Sequence, residues 1–272
     1  MMDFKVDEAK CIGCGSCVRD CVSGAIEMCG SVPTVARFGE RMCIKCQHCL
    51  AVCPRGAISI FGIKPESCGT VKTLPRPDDV ASLLKFRRSC RQFKPENVSK
   101  DKVAKLKDVL NWAPTGCNSR AMHFAIVEDV KAMGRLRLLL NKTLLSAIQN
   151  DTLPPSMSGM KLAAPLLERG DDLVLRGAPH LIVAAAHRDA PSGTMDPVIA
   201  LAQFEVMAQS LGLGTTWCGF AHLVIGNLCS DAKALLNLPE GFSPSCLMLF
   251  GEPAVVYPRT TCPEPYGISV IS

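Results

Sequence analysis

Aromatic side chains are scarce in these 272 residues: ten phenylalanines, two tyrosines and two tryptophans make up 5% of the chain. A nucleic-acid platform interleaves several aromatics with basic residues. No such stripe occurs, so the formal charge of +5 does not imply nucleic acid as a partner. No run of about 18 apolar residues is present, and such a run is what a membrane-crossing helix requires. The amino terminus, Met1-Met2-Asp3-Phe4-Lys5-Val6-Asp7-Glu8, carries charges where a secretory leader would be apolar. A cytoplasmic location with no membrane partner is therefore expected. Also missing are the phosphate loops G-x-G-x-x-G and G-x-x-x-x-G-K-[ST], since Gly212-Leu213-Gly214 is followed by Trp217 where a third glycine would stand. Any nucleotide-type cofactor must be held another way.

What the chain has in excess is cysteine, sixteen in all. Without a secretory leader the thiols should stay reduced, and patterned cysteines then read as metal ligands rather than disulfides. Cys11, Cys14, Cys17 and Cys21 recur 32 residues later as Cys43, Cys46, Cys49 and Cys53, and Gly24-Ala25-Ile26 recurs as Gly56-Ala57-Ile58 at the same offset. A shared offset through ligands and following strand means two halves related by pseudo-symmetry, each too small to be stable alone. In C-x2-C-x2-C one tight loop supplies three thiolates to a cubane, and the fourth cysteine of each run serves the other cluster. One [4Fe-4S] cluster would take Cys11, Cys14, Cys17 and Cys53, the other Cys43, Cys46, Cys49 and Cys21. Structural zinc on paired C-x2-C motifs would leave the third cysteine of each run without a use. Residues 1–62 resemble the bacterial two-cluster ferredoxins. They depart from the pattern at Val22, where the second run has Pro54.

Three segments follow from composition and periodicity: a ferredoxin domain at 1–62, a linker at 63–82 that holds Pro65, Pro75 and Pro77, and a larger domain at 83–272. In the larger domain helices are expected over Val80–Arg88, after Ser99, over Lys131–Gln149 and over Val198–Leu211. Strands are expected at His123–Glu128, Leu181–Ala186, Gly214–Cys218 and Ser245–Phe250. Pro154-Pro155-Ser156-Met157-Ser158-Gly159 breaks the pattern and reads as a mobile loop or lid. The mixture is α+β and lacks the regular βαβ alternation of a doubly wound sheet.

Arg87, Arg88, Ser89 and Arg91 lie within five residues, and guanidinium forks with a hydroxyl suit phosphate oxygens. Alone, such a cluster is more often a solvated face. It is followed by Ala113-Pro114-Thr115-Gly116-Cys117-Asn118, by Leu211-Gly212-Leu213-Gly214-Thr215-Thr216-Trp217-Cys218-Gly219, and by Arg259 after Gly251-Glu252-Pro253. In this order, over about residues 83–260, the segments resemble the nitroreductase family of FMN flavoproteins. The resemblance implies a nitroreductase-like α+β FMN domain that dimerises, joined to the ferredoxin-like module. It also implies that Arg87, Arg88, Ser89 and Arg91 hold the phosphate and ribityl chain, with Arg259 closing on the phosphate. Pro114, Thr115, Gly116 and Asn118 would touch the flavin from the other subunit of a homodimer, and Cys218 and Gly219 would lie near its ring. Arg120 and Ala121 stand where the family has Gln-Pro, and the stretch from Asp151 to Gly170 has no counterpart in the pattern.

With eight thiolates at about −8, two cluster cores at about +4 and a flavin phosphate at about −2, the assembled protein would carry about −1. Of the eight cysteines outside the clusters, Cys90, Cys117 and Cys218 fall inside the flavin segments and read chiefly as small apolar fillers. Clusters pass single electrons, whereas a nitro group, quinone or activated alkene takes them in pairs, and FMN converts between the two modes. The expected activity is that of a flavin-dependent oxidoreductase whose ferredoxin domain feeds FMN and whose FMN reduces a small organic acceptor. An external ferredoxin or NAD(P)H would be the donor. Two alternatives are an NAD(P)H-oxidising flavoprotein that passes electrons outward, and a non-catalytic flavin redox sensor. No side chain stands out as an obligatory acid or base.

Overall fold

The 32-residue repeat reappears as repeated backbone geometry in the computed structural model, which describes residues 2–70 and 73–271. The amino-terminal elements run β1 (Lys5–Val6), α1 (Ser16–Arg19), β2 (Ile26–Cys29), β3 (Val32–Val35), α2 (Gly39–Met42), α3 (His48–Ala51) and β4 (Ile58–Ser59). Helices α1 and α3 start 32 residues apart, each after a left-handed residue, Gly15 (φ 67°) and Gln47 (φ 62°). Gly13 and Lys45 (φ 63° and 57°) match in the same way, as do Gly24 and Gly56 (φ 62° and 58°). A glutamine and a lysine adopt this disfavoured region because the loop must bend there to turn its cysteines inward. The apolar core is small: Met2, Ala25, Ile26, Leu50, Ile58 and Ile60, with Cys17 and Cys49. So little burial leaves the unit dependent on bonds other than hydrophobic contact.

The chain divides into two compact units, Met1–Pro75 together with Cys117–Ser119, and Arg76–Gly116 together with Arg120–Ser272. The expected linker is only partly a connector. Its start pairs back through the Ile60–Ile63 bridge, and its end is helical. The second unit begins with α4 (Pro77–Phe86), where Pro77 supplies the preset φ of a first helical residue and Asp78 and Asp79 complement the helix dipole. Residues 71 and 72 of the expected linker lie outside the described residues.

After α4 come α5 (Lys100–Leu110), β5 (Met122–Val127), α6 (Val130–Gln149), α7 (Ala164–Glu168), β6 (His180–His187), α8 (Asp196–Ser210), β7 (Gly214–Trp217), α9 (Gly219–Asn227), α10 (Ser230–Leu235) and β8 (Phe242–Gly251). The strands form one antiparallel sheet in the order β5-β6-β8-β7. Side chains alternate across it. Leu181, Val183, Leu247 and Leu249 pack with α6, α7, α9 and α10, whereas Ile182, Ala184, Met248 and Phe250 pack with α5 and α8. Both faces are therefore buried, and this is why β6 and β8 read as continuous apolar runs.

Ser99 caps α5 through Lys102 N, and Asp129 caps α6 through the amides of Lys131 and Ala132. The expected loop at 154–159 is instead a stretch of 3-10 turns, Pro155–Ala163, that runs into α7. Buried Met157, Ala163 and Leu167 tie it to the core, which a list of turn-forming residues does not reveal. Helices α9 and α10 were not expected either. Segment Gly219–Asn227 is nearly apolar throughout, so it has no polar face to create a 3.6-residue period.

Candidate cofactor sites

Two hollows in the amino-terminal unit sort the eight repeated cysteines. One is lined by Cys11, Cys14, Cys17 and Cys53, together with Pro33, Pro54 and Ile58. The other is lined by Cys21, Cys43, Cys46 and Cys49, together with Met2, Ile26 and Ile60. In each, three thiols come from one run and the fourth from the other. Among the described residues no three side chains converge as they would on a single ion. Four thiols around each hollow make a donor set of the kind that holds a multi-iron cube. Backbone amides already point at the late cysteine of each run: Ala25 N donates to Cys21 Sγ at 3.3 Å and Ala57 N to Cys53 Sγ at 3.2 Å. Such N–H donors stabilise sulfur that carries negative charge. A hydrogen bond between Cys14 Sγ and Ser16 Oγ at 3.5 Å lowers the Cys14 thiol below its usual range. Burial pushes Cys17 up, and pushes Cys49 up to about 11. Both thiols would have to give up their protons to serve as iron ligands. His48 also lines the second hollow, and its Nδ1 pairs with Asp20 Oδ2 at 3.1 Å.

In the second unit the arginine segment is stitched to strand β7. Ser89 forms a parallel bridge with Thr215, Cys90 N donates to Thr215 O at 2.7 Å, and Thr216 Oγ1 donates to Cys90 O. The close approach explains Gly214, where a Cβ would lie 2.6 Å from Cys90 Cβ and 2.7 Å from its Sγ. Gly212, with φ 75°, ends α8 in the left-handed region. The Gly-Leu-Gly segment is thus a helix stop followed by a packing contact.

Arg87 and Arg88 sit at the start of this seam. Arg87 Nη1 donates to Glu205 Oε1 at 3.1 Å, and Arg88 Nη1 donates to Arg87 O at 2.7 Å. Arg91 is exposed. The donor set of guanidinium groups and a serine hydroxyl suits a dianionic phosphate, so these residues fit the end of FMN that the sequence assigns to them. Strand β7 leads directly to Cys218 and Gly219. Gly219 is exposed at the start of α9, whereas Cys218 is buried with its Sγ donating to Val174 O at 3.3 Å. Burial pushes the thiols of both Cys90 and Cys218 up. They pack as small apolar groups, while Cys117 is exposed.

The third predicted segment is held from α8 and α5. Gly116 N donates to both oxygens of Asp196, a carboxylate only 3% exposed at the start of α8. Pro114 is exposed and Thr115 half-buried, with Thr115 Oγ1 accepting from Arg120 N at 3.1 Å. The Arg120 side chain turns back to donate to Asn111 O at 2.8 Å, beyond the end of α5. The departure from Gln-Pro at Arg120 therefore has a structural use in closing this turn. Asn118 falls in the stretch grouped with the first unit. Arg259 lies exposed on the extended segment after β8, and no described hydrogen bond or ion pair joins it to Arg87, Arg88, Ser89 or Arg91. Glu205 and Asp196 were not singled out from the sequence, and Trp217 was noted there only for standing where a third glycine would be. The signal for Glu205 was available: it is the lone carboxylate inside the apolar run from Pro197 to Ala208.

Residues 84–252 match the nitroreductase family, and residues 10–57 match the 4Fe-4S dicluster domain. Among curated proteins, the iodotyrosine deiodinase of Thermotoga neapolitana is 25% identical over 188 residues, which are 65% of this chain and 91% of that protein. Among solved structures, a nitroreductase with bound FMN from Desulfitobacterium hafniense has a TM-score of 0.57 at 21% identity, covering 71% of this chain and 98% of that one. A nitroreductase with bound FMN from Bacteroides fragilis has a TM-score of 0.58 at 18% identity, covering 71% and 99%. At these identities the likeness is one of fold.

Proposed function

Given that this chain belongs to the nitroreductase family through residues 84–252 and is a flavin-dependent oxidoreductase, we propose that two [4Fe-4S] clusters in its ferredoxin domain supply FMN with electrons for reducing a small organic acceptor. The observation that carries this reading is the sorting of eight thiols into two sets of four, crossed between the runs, in a chain whose remaining length is a flavin domain. FMN, when bound, exchanges single electrons on one side and pairs on the other.

The chain's own residues bind and orient. Arg87, Arg88, Ser89 and Arg91, with Arg259, hold the phosphate and ribityl chain. Cys218 and Gly219 border the ring, and Pro114, Thr115, Gly116 and Asn118 reach it from the other copy of a homodimer. Support for the homodimer comes from α8. Ile199, Ala202, Val206 and Met207 line an apolar groove of about 690 Å³ with Leu83, Val109 and Trp112, and Val198 is 45% exposed. An open apolar face of this size on a helix that is otherwise core suits a subunit contact. On this reading the ferredoxin domain spans 1–62 and the flavin domain 83–272. No described helix is long and apolar enough to cross a membrane.

Stopped-flow reduction tests the direction of flow. With a reduced ferredoxin as donor, the cluster absorbance should bleach before the flavin. Flavin bleaching first by NADH, with no response to reduced ferredoxin, would instead mean outward flow. An acceptor panel should span a nitroaromatic, a quinone and an activated alkene. An iodinated phenol joins it because of the deiodinase relative.

A further inference from the structure

Glu205 is a carboxylate buried in the middle of α8, with its side chain 8% exposed. A charge so placed costs several kcal/mol unless donors surround it. Here three do. Arg87 Nη1 donates to Oε1 at 3.1 Å, Thr215 Oγ1 to Oε1 at 3.2 Å, and Trp217 Nε1 to Oε2 at 3.1 Å. The three donors come from two segments far apart in sequence. Arg87 belongs to the arginine segment, and Thr215 and Trp217 belong to the strand that leads to Cys218 and Gly219.

Arg87 faces two ways. Its side chain is 34% exposed, and among the described residues Nη1 is the guanidinium nitrogen that carries a hydrogen bond. A free arginine side chain carries about 2 kcal/mol of rotamer entropy, much of it lost when it closes on a ligand. One anchored by an internal carboxylate has lost that freedom already and can turn its other N–H edge outward. The backbone around it is equally constrained, because Arg87 O accepts from Arg88 Nη1 and the next residues are bonded to Thr215.

We propose that Glu205 is a positioning residue for the flavin phosphate: it orients the Arg87 guanidinium and joins the phosphate-holding segment to the ring-bordering strand through one buried carboxylate. The inference rests on Arg87 being a phosphate ligand. Glu205 acts only through Arg87, Thr215 and Trp217. Glutamine fits the same space but cannot replace it, because its amide nitrogen is a donor and would face either Arg87 or the Trp217 indole N–H.

The test compares FMN with riboflavin, which lacks the phosphate. Flavin-free protein is titrated with each and the affinities are read from flavin fluorescence. Arg87→Ala should weaken FMN about tenfold or more and leave riboflavin unchanged. Glu205→Gln should reproduce the loss of FMN preference about tenfold, and should add little to it in the Arg87→Ala background. With Trp112→Phe as the parent, Glu205→Gln should also shift the emission of Trp217, which loses its carboxylate partner.

If Arg87→Ala leaves the preference for FMN intact, the assignment of the phosphate site fails. If Arg87→Ala abolishes the preference but Glu205→Gln does not, the assignment of Glu205 fails alone. Equal weakening of both flavins by Glu205→Gln means a merely structural role and overturns the proposal. Should Glu205→Gln not fold, Glu205→Asp keeps the charge but withdraws it from Arg87 by one methylene, and the same ratio of affinities decides.

Discussion

Gly116 N stands within hydrogen-bond distance of both carboxylate oxygens of Asp196, at 3.1 and 3.2 Å, which ties the Pro114–Gly116 turn to the first turn of α8. Asp196 is almost wholly buried, and its partner is a backbone amide that only a proline at position 116 would remove. Asp196→Ala strands that amide, at a cost of about 2 kcal/mol for a lost bond to a charged group. Urea unfolding followed by tryptophan fluorescence is a natural probe, since Trp112 and Trp217 are both in the second unit. Asp196→Asn, which still offers one acceptor, should lose less than Asp196→Ala.

A second prediction concerns Gly214. The β-carbon of Gly214→Ala would sit 2.6 Å from Cys90 Cβ, closer than carbon atoms pack, so the arginine segment must move off β7. Overpacking of this kind costs about 1–3 kcal/mol. Because the clash is with one side chain, Cys90→Gly in the same chain should recover part of the stability. No recovery would mean that the clash is not what makes Gly214 necessary.

Cluster assignment can be tested by pairs of substitutions. In the crossed arrangement Cys11 and Cys53 serve the same cluster, so Cys11→Ser with Cys53→Ser should leave the other intact and retain about four of about eight irons per chain. Cys11→Ser with Cys21→Ser removes one ligand from each cluster and should strip both. Anaerobic iron and sulfide analysis reads the difference. The reverse pattern would mean that each run holds its own cluster.

His180 makes the stability of the second unit depend on pH. Its Nε2 accepts from Val98 N at 2.9 Å, and its Nδ1 bonds Val127 O at 3.2 Å, so the buried ring is neutral. Burial holds its pKa below the ordinary 6.5. The unfolded chain therefore binds the proton first as the pH falls. The contribution of His180 is complete above about pH 6.5 and is lost progressively below it. Unfolding midpoints at pH 7.5 and 5.5 should differ more for the parent than for His180→Asn, which lacks a group titrating in that range. Equal differences would exclude His180 as the source.

Chemistry carried by fixed spacing was legible in the sequence. Eight cysteines at one repeated offset imply their own partition into two sets, because a thiolate cage tolerates few loop lengths. The folded chain lines two hollows with those same sets. Strands β6 and β8 were legible for a related reason, since the stretches Leu181–Ala186 and Leu247–Phe250, buried on both faces, are apolar throughout. Helices α9 and α10 were not: α9 is nearly apolar throughout and has no polar face to mark a period, and α10, at six residues, is too short to show one. The turns at Pro155–Ala163 carry residues typical of a loop and owe their order to Met157 and Leu167 in the core.

By itself, then, the sequence determined the two sets of cysteines, the order of the two family-matched segments and the clustering of the arginines, since each depends on residues near one another in the chain. Only the tertiary structure decided what holds those residues in place. Arg87 and Glu205 are 118 residues apart, and Gly116 and Asp196 are 80. A carboxylate among apolar neighbours in α8 gains its role only when the sheet brings its three donors to it. Contacts of that separation leave no period or spacing to read, because they arise from packing.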